Sequence, residues 1–170
     1  MSLSKFINER LHINATSKSE RLKPASKNEL IDIIKSEVEQ QGPDADLNHI
    51  DTSKIKDMSD LFDGLRIHNI KIDEWDVSNV IDMSNMFSDG IHITADLSKW
   101  DVSSVKNMQG MFLGCANFNS DLSDWNVSNV ISMSGMFHSC ANFNSDLSNW
   151  DVSNVKEMYS MFLDCKKFKC

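Results

Sequence analysis

Between residues 46 and 170 the hydrophobic and polar positions recur with a single period. Trp75, Trp100, Trp125 and Trp150 lie 25 residues apart, and Met58, Met83, Met108, Met133 and Met158 keep the same step. So do Phe62, Phe87, Phe112, Phe137 and Phe162, and also Val80, Val105, Val130 and Val155, with Ile55 at the head of that series. Leu97, Leu122 and Leu147 follow Leu47 and Ile72 in phase, while Cys115, Cys140 and Cys165 share another phase. Residues 46–170 therefore hold five units of 25 residues, the first degenerate. A fixed period of this length marks an array whose units cannot bury their apolar faces alone and cover one another by stacking.

With each Trp as position 0, apolar residues fall at positions 0, 2, 5, 8, 11, 12, 15, 18 and 22. The steps of three and four from position 5 to position 15 predict a helix of about two to three turns. Ser78-Asn79, Ser128-Asn129 and Ser153-Asn154 suit its N-cap, and Glu157 stands three after Asn154 as in a capping box. The phrase F-N-x-D-L-S-x-W-D-V is too short and too polar for a second helix, and predicts one short strand between turns rich in Asn, Asp and Ser. The expected fold class is an α/β repeat solenoid: a stack of five units, each with one short strand and one short helix. At roughly 4.8 Å per turn, five turns span about 24 Å.

Ahead of the array, residues 25–45 predict a capping helix. Ser26 is its N-cap, Glu29 follows three later, Leu30, Ile33, Ile34 and Val38 form one apolar stripe, and Gly42-Pro43 stops it. The stripe would cover the apolar edge of the first unit, or else grip a partner helix. Residues 1–24 are expected to be a mobile basic tail and linker, with residues 1–13 (Leu3, Phe6, Ile7 and Leu11) a candidate docking peptide.

Charge changes the picture of partners more than of fold. Net charges of +3, −3 and −8 over residues 1–24, 25–45 and 46–170 add to the −8 of the whole chain. An acidic array repels phosphate backbones, so nucleic acid is not expected to bind it. No apolar run reaches the ~20 residues of a membrane span, and no secretory signal pattern is visible, so a cytoplasmic or virion-associated chain is expected.

Candidate chemistry is sparse. The stacked Cys115, Cys140 and Cys165 lack the C-x-x-C pairs and His partners of a zinc site and read as buried thiols; Cys170 is off that phase and reads as an exposed one. The histidines occupy unrelated phases, and no nucleophile-base pattern or phosphate loop is present. Asp96, Asp121 and Asp146 share one phase, and Asp76, Asp101, Asn126 and Asp151 another. These rows either cap turns through backbone N–H groups or hold Ca²⁺; Asn126, where charge is dispensable, favours turns. The Trp column either closes the core or offers an aromatic strip to a ligand. No cofactor and no metal are expected.

The lines "VSNVIDMSNMF", "MFLGCANFNSDLSDWNVSNV" and "MFHSCANFNSDLSNWDVSNV" resemble the roughly 25-residue repeats of bacterial surface and lipoprotein families of unknown function. The M-F-x-x-C-x-x-F phrase is similar to A-F-x-x-C-x-x-L of the BspA-like leucine-rich repeats. The leading "KPASKNELIDII" resembles what precedes such repeats in relatives, phage-encoded ones included. The resemblance covers residues 46–170 and implies a right-handed, leucine-rich-repeat-like stack, often a binding or adhesion surface. The chain shows no lipobox Cys or wall anchor of the surface members. The expected function is a non-enzymatic scaffold presenting one face to a protein partner, as a monomer or an end-to-end dimer. The alternative is a phage or envelope component assembling through its ends, and an enzyme is a distant third. Exposed positions that differ between units are expected to carry the binding: Lys99, Lys106, Gln109, Ser132, His138, Lys156, Glu157 and Tyr159.

Overall fold

The computed structural model describes residues 21–169. The docking peptide expected over residues 1–13, most of the tail, and the thiol of Cys170 lie outside them. Helix α1 spans Lys27–Gln41. Its first turn is closed by Ser26, whose Oγ accepts from the N–H of Glu29 at 3.3 Å, while Glu29 Oε2 accepts from the N–H of Ala25 at 2.8 Å. Gly42 ends it at φ +87°, donating its N–H to the Val38 carbonyl. Leu30 and Ile34 are fully buried in one core with Leu47, Ile50 and Met58. Lys27 Nζ reaches Asp57 Oδ1 at 3.1 Å, so α1 sits on the first unit. Leu22 pairs with the same unit, as a parallel bridge to Ile50.

The strand and helix expected in each unit do not form. Among the described residues α1 is the one helix, no strand is present, and the α/β solenoid of five strand-plus-helix units is overturned. Each unit is instead a closed run of turns. In the second, third and fourth units the N–H at position 0 returns to the carbonyl three residues back, and the same bond recurs at positions 5, 11, 13, 15 and 18; in the second unit these are Trp75→Ile72, Val80→Val77, Met86→Met83, Ser88→Asn85, Gly90→Phe87 and Ile93→Gly90.

Backbone conformation explains why the helical spacing yields no helix. Position 10 is left-handed in every unit (Asp60, Asn85, Gly110, Gly135 and Ser160, φ 51–64°), and so is position 14 (Gly64, Asp89, Gly114, Ser139 and Asp164, φ 60–73°). Gly, Asn and Asp tolerate that region best, and two such residues four apart cannot lie inside a right-handed helix. Turned this way, the N–H groups at positions 8, 10, 12 and 14 leave the unit and meet the carbonyls at positions 7, 9, 11 and 13 of the next. In the second unit these are Met83→Asn107 (2.9 Å), Asn85→Gln109 (2.8 Å), Phe87→Met111 (2.9 Å) and Asp89→Leu113 (2.7 Å). Isolated parallel bridges run down position 7 through Asp57, Asp82, Asn107, Ser132 and Glu157.

This register puts like side chains above like. The position-12 rings stack in a column, with centroids 5.1 Å apart for Phe62–Phe87, 5.5 Å for Phe87–Phe112, 5.6 Å for Phe112–Phe137 and 5.7 Å for Phe137–Phe162. Phe118, Phe143 and Phe168 form a second column, about 4 Å from the first within each unit. Trp75, Trp100, Trp125 and Trp150 close the core at one corner, each donating Nε1–H to a carbonyl 28 residues earlier, as Trp125 does to Leu97 at 3.0 Å. The tryptophans are core, not a ligand strip.

Candidate functional site

The rows of Asp are turn devices. In each case a carboxylate oxygen accepts the N–H of the residue two further on: Ser98 to Asp96 (3.0 Å), Ser103 to Asp101 (3.0 Å), Ser123 to Asp121 (3.0 Å), Ser148 to Asp146 (2.9 Å) and Ser153 to Asp151 (3.0 Å). Asn126 does the same for Ser128 with its amide oxygen. These bonds favour the ionised form. The backbone N–H of Ser98, Ser123 and Ser148 and then their hydroxyls hold Asp96, Asp121 and Asp146 below the usual carboxylate range. For Asp101 and Asp151 the hydroxyls of Ser103 and Ser153 come first and the backbone second. A carboxylate depressed on folding stabilises the native state above its unfolded pKa, and the contribution disappears as pH falls through the folded value. Urea midpoints should therefore hold steady down to about pH 5 and fall below about pH 4. A variant carrying Asp101→Asn and Asp151→Asn, which keep the acceptor as Asn126 does, should fall less; equal curves would remove the carboxylates from this role.

The cysteine ladder is a set of donors, buried at Cys115 and Cys140 and half-buried at Cys165. Cys115, Cys140 and Cys165 send Sγ–H to the carbonyls of Phe87, Phe112 and Phe137 at 2.9, 2.9 and 2.8 Å. Burial raises all three thiols, Cys140 to about 12, so none is an available nucleophile at neutral pH. The five-fold scatter of histidines in phase conceals one pair: the rings of His68 and His92, in adjacent units, meet edge to face at 5.0 Å. Among the described residues no three His, Cys, Asp or Glu side chains converge as a metal site.

Six of the eight candidate binding residues occupy neighbouring columns of one lateral face. Lys106 and Lys156 are at position 6, Ser132 and Glu157 at position 7, and Gln109 and Tyr159 at position 9. Tyr159 is 75 % exposed, and Lys106, Gln109, Lys156 and Glu157 are open to solvent. Lys99, exposed at position 24, and His138, half-buried at position 13, stand apart from these columns. Ser132 departs from the expected exposed surface: it is 8 % exposed, because it sits in the bridge column.

Ser132 also marks a defect in the turn pattern. At the same position Asp57 and Asp82 each accept both the N–H and the hydroxyl of the serine two residues on, and Asn107 accepts the N–H of Gln109. With Ser in that place, Ser132 Oγ and Ser134 Oγ are buried without a partner. Ser132→Asp or Ser132→Asn restores the acceptor and should stabilise the chain by about 1 kcal/mol. Chemical denaturation of both variants checks this, and no gain from either would rule it out.

Position 6 contributes two residues, Ile81 and Ile131, that variation among polar letters does not reveal, and a third lysine, Lys56. Lys56, Ile81, Lys106, Ile131 and Lys156 follow one another up the face, each N–H of Ile81, Lys106, Ile131 and Lys156 bonded at 2.8 Å to the position-6 carbonyl below. Ile81 and Ile131 are 42 % and 40 % exposed. The alternation is visible in the sequence when it is read down one phase instead of along the chain.

Among the described residues no helix is long and apolar enough to cross a membrane. No curated protein and no solved structure matches the chain. The family model described as "Mycoplasma protein of unknown function, DUF285" matches residues 34–130 and 92–170, so the matches run from the middle of α1 through the last unit, and the chain belongs to that family.

Proposed function

We propose that the chain is a protein-binding scaffold without catalytic chemistry of its own, which holds a partner against the face built from positions 6, 7 and 9. The observation that carries this reading is the convergence of Lys106, Gln109, Lys156, Glu157 and Tyr159, which differ from unit to unit, on one face of an otherwise repetitive stack. Constant letters are accounted for by the core and the turns; the changing ones have no such task. A platform ordered by its own ladder loses little freedom on binding, which leaves more of the contact energy for affinity. Its acidic body makes a protein a better partner than a nucleic acid.

Site-specific photo-cross-linking in a lysate of the source cell tests the reading. A photoreactive residue at Gln109 should form an adduct with another protein, and Lys106→Glu with Lys156→Glu should abolish it. The same residue at Asn117, exposed at position 17 of the same unit, should form none. No adduct from 109, or equal adducts from both places, would sink the scaffold. An adduct only with a second copy of the chain would replace it by self-assembly.

A further inference from the structure

The position-6 strip specifies the shape of its occupant. Cations and apolar side chains alternate along it as Lys56, Ile81, Lys106, Ile131, Lys156, one per unit. Among the described residues none of the three lysines forms an ion pair, although the chain carries a net charge of −8. Of the acidic residues at position 7, Asp57 is engaged with Ser59 and Lys27 and Asp82 with Ser84 and Asn107, while Glu157 is exposed next to Lys156 at the end of the strip. Units stacked in parallel register advance about 4.8 Å each. The lysines are thus about 10 Å apart with an isoleucine midway, over a strip of about 19 Å.

We infer that this strip receives an amphipathic α-helix lying along the stack axis, with acidic residues seven apart and an apolar residue between them; the inference rests on the scaffold reading above. A helix rises 1.5 Å per residue, so a half-heptad step of 3.5 residues advances about 5.2 Å, and four steps about 21 Å. The mismatch over the whole strip is about 2 Å, within the reach of flexible Lys side chains. Seven residues return almost to the same side of the helix, so acid, apolar, acid, apolar, acid can face Lys56, Ile81, Lys106, Ile131 and Lys156 together. An extended strand fits poorly, because its same-face side chains recur at about 6.7 Å and lose register by nearly 2 Å at every unit. A phosphate backbone would set charge against Ile81 and Ile131 and meet the acidic body around the strip.

A designed 18-residue peptide with Glu at places 1, 8 and 15 and Leu at places 4 and 11, in an Ala/Gln background, is the probe. Fluorescence anisotropy with the full chain should give saturable binding, weakened by about tenfold or more in the Lys56→Glu, Lys106→Glu, Lys156→Glu variant. A peptide with Lys in place of the three Glu should bind that variant and not the parent. Trp fluorescence of the variant verifies that the stack is intact, since all three lysines are exposed. Absence of binding overturns the inference, as does equal binding by a scrambled peptide or by one broken with Pro. Displacement of the peptide by a single-stranded oligonucleotide overturns it in favour of a phosphate ligand. Failure here with a specific adduct at position 109 leaves the scaffold standing and removes only the helix; failure of both removes the scaffold.

Discussion

Phe112→Ala should destabilise the chain by about 3–5 kcal/mol, a large share of the ~5–15 kcal/mol that holds a domain folded. Phe112 is fully buried and stacks on Phe87 below at 5.5 Å, Phe137 above at 5.6 Å and Phe118 beside it at 4.0 Å. The rings above and below belong to other units, so truncation opens a void that no single unit can close by shifting. Phe162, in the same phase of the last unit, supplies the internal comparison. It stacks on Phe137 at 5.7 Å and Phe168 at 4.1 Å, is only partly buried, and has no described unit above it. Its replacement by Ala should cost about 1–2 kcal/mol. Urea unfolding followed by Trp fluorescence measures both. Equal losses would mean that stacking between units contributes little and that each unit is stabilised on its own.

Gly110→Ala combined with Gly114→Ala separates the observed turns from the helix that the spacing suggests, by the sign of the effect. In a helix each exchange would stabilise by about 0.5–1 kcal/mol. Here both glycines are left-handed, at φ +60° and +73°, where an L side chain costs about 1–2 kcal/mol. The new methyl at 110 would also strike Asn85 Oδ1, and the one at 114 would lie 2.6 Å from Asp89 Oδ1. Both of those atoms end side chains that can swing aside, so the backbone term dominates and the pair should lose about 2–4 kcal/mol. Gly135→Asn is the control. At φ +64° it has nothing within 4 Å of the added Cβ, and Asn85 already holds the equivalent place, so a few tenths of a kcal/mol should be lost. Stabilisation by the double variant would restore the helix.

The 25-residue period, the core letters and the cap were legible along the chain. A unit that stacks on copies of itself must offer the same residue at the same place, so Met83, Phe87, Val80 and Trp75 announce their burial by recurring. The start of α1 was equally plain, since Ser26 and Glu29 satisfy the first amides locally, within four residues. The lateral face was only half legible. Variation exposed Lys106, Gln109 and Tyr159, but Ser132 was misread as surface, and the isoleucines at position 6 were overlooked because apolar letters suggest core.

The conformation inside the unit lay beyond any local reading. Apolar residues at positions 5, 8, 11, 12 and 15 suit one side of a helix and one side of this chain of turns equally well. The choice between them turns on where the N–H groups at positions 8, 10, 12 and 14 find acceptors. In a helix those acceptors stand four residues back; here they stand 24 residues ahead, on the next unit, and exist only once the stack has formed. Sequence thus settled which residues repeat and therefore stack, because period and burial are properties of each unit's own letters. Stacking settled the backbone, because the hydrogen bonds that hold it join units, and it thereby aligned Lys56, Ile81, Lys106, Ile131 and Lys156 into a single strip.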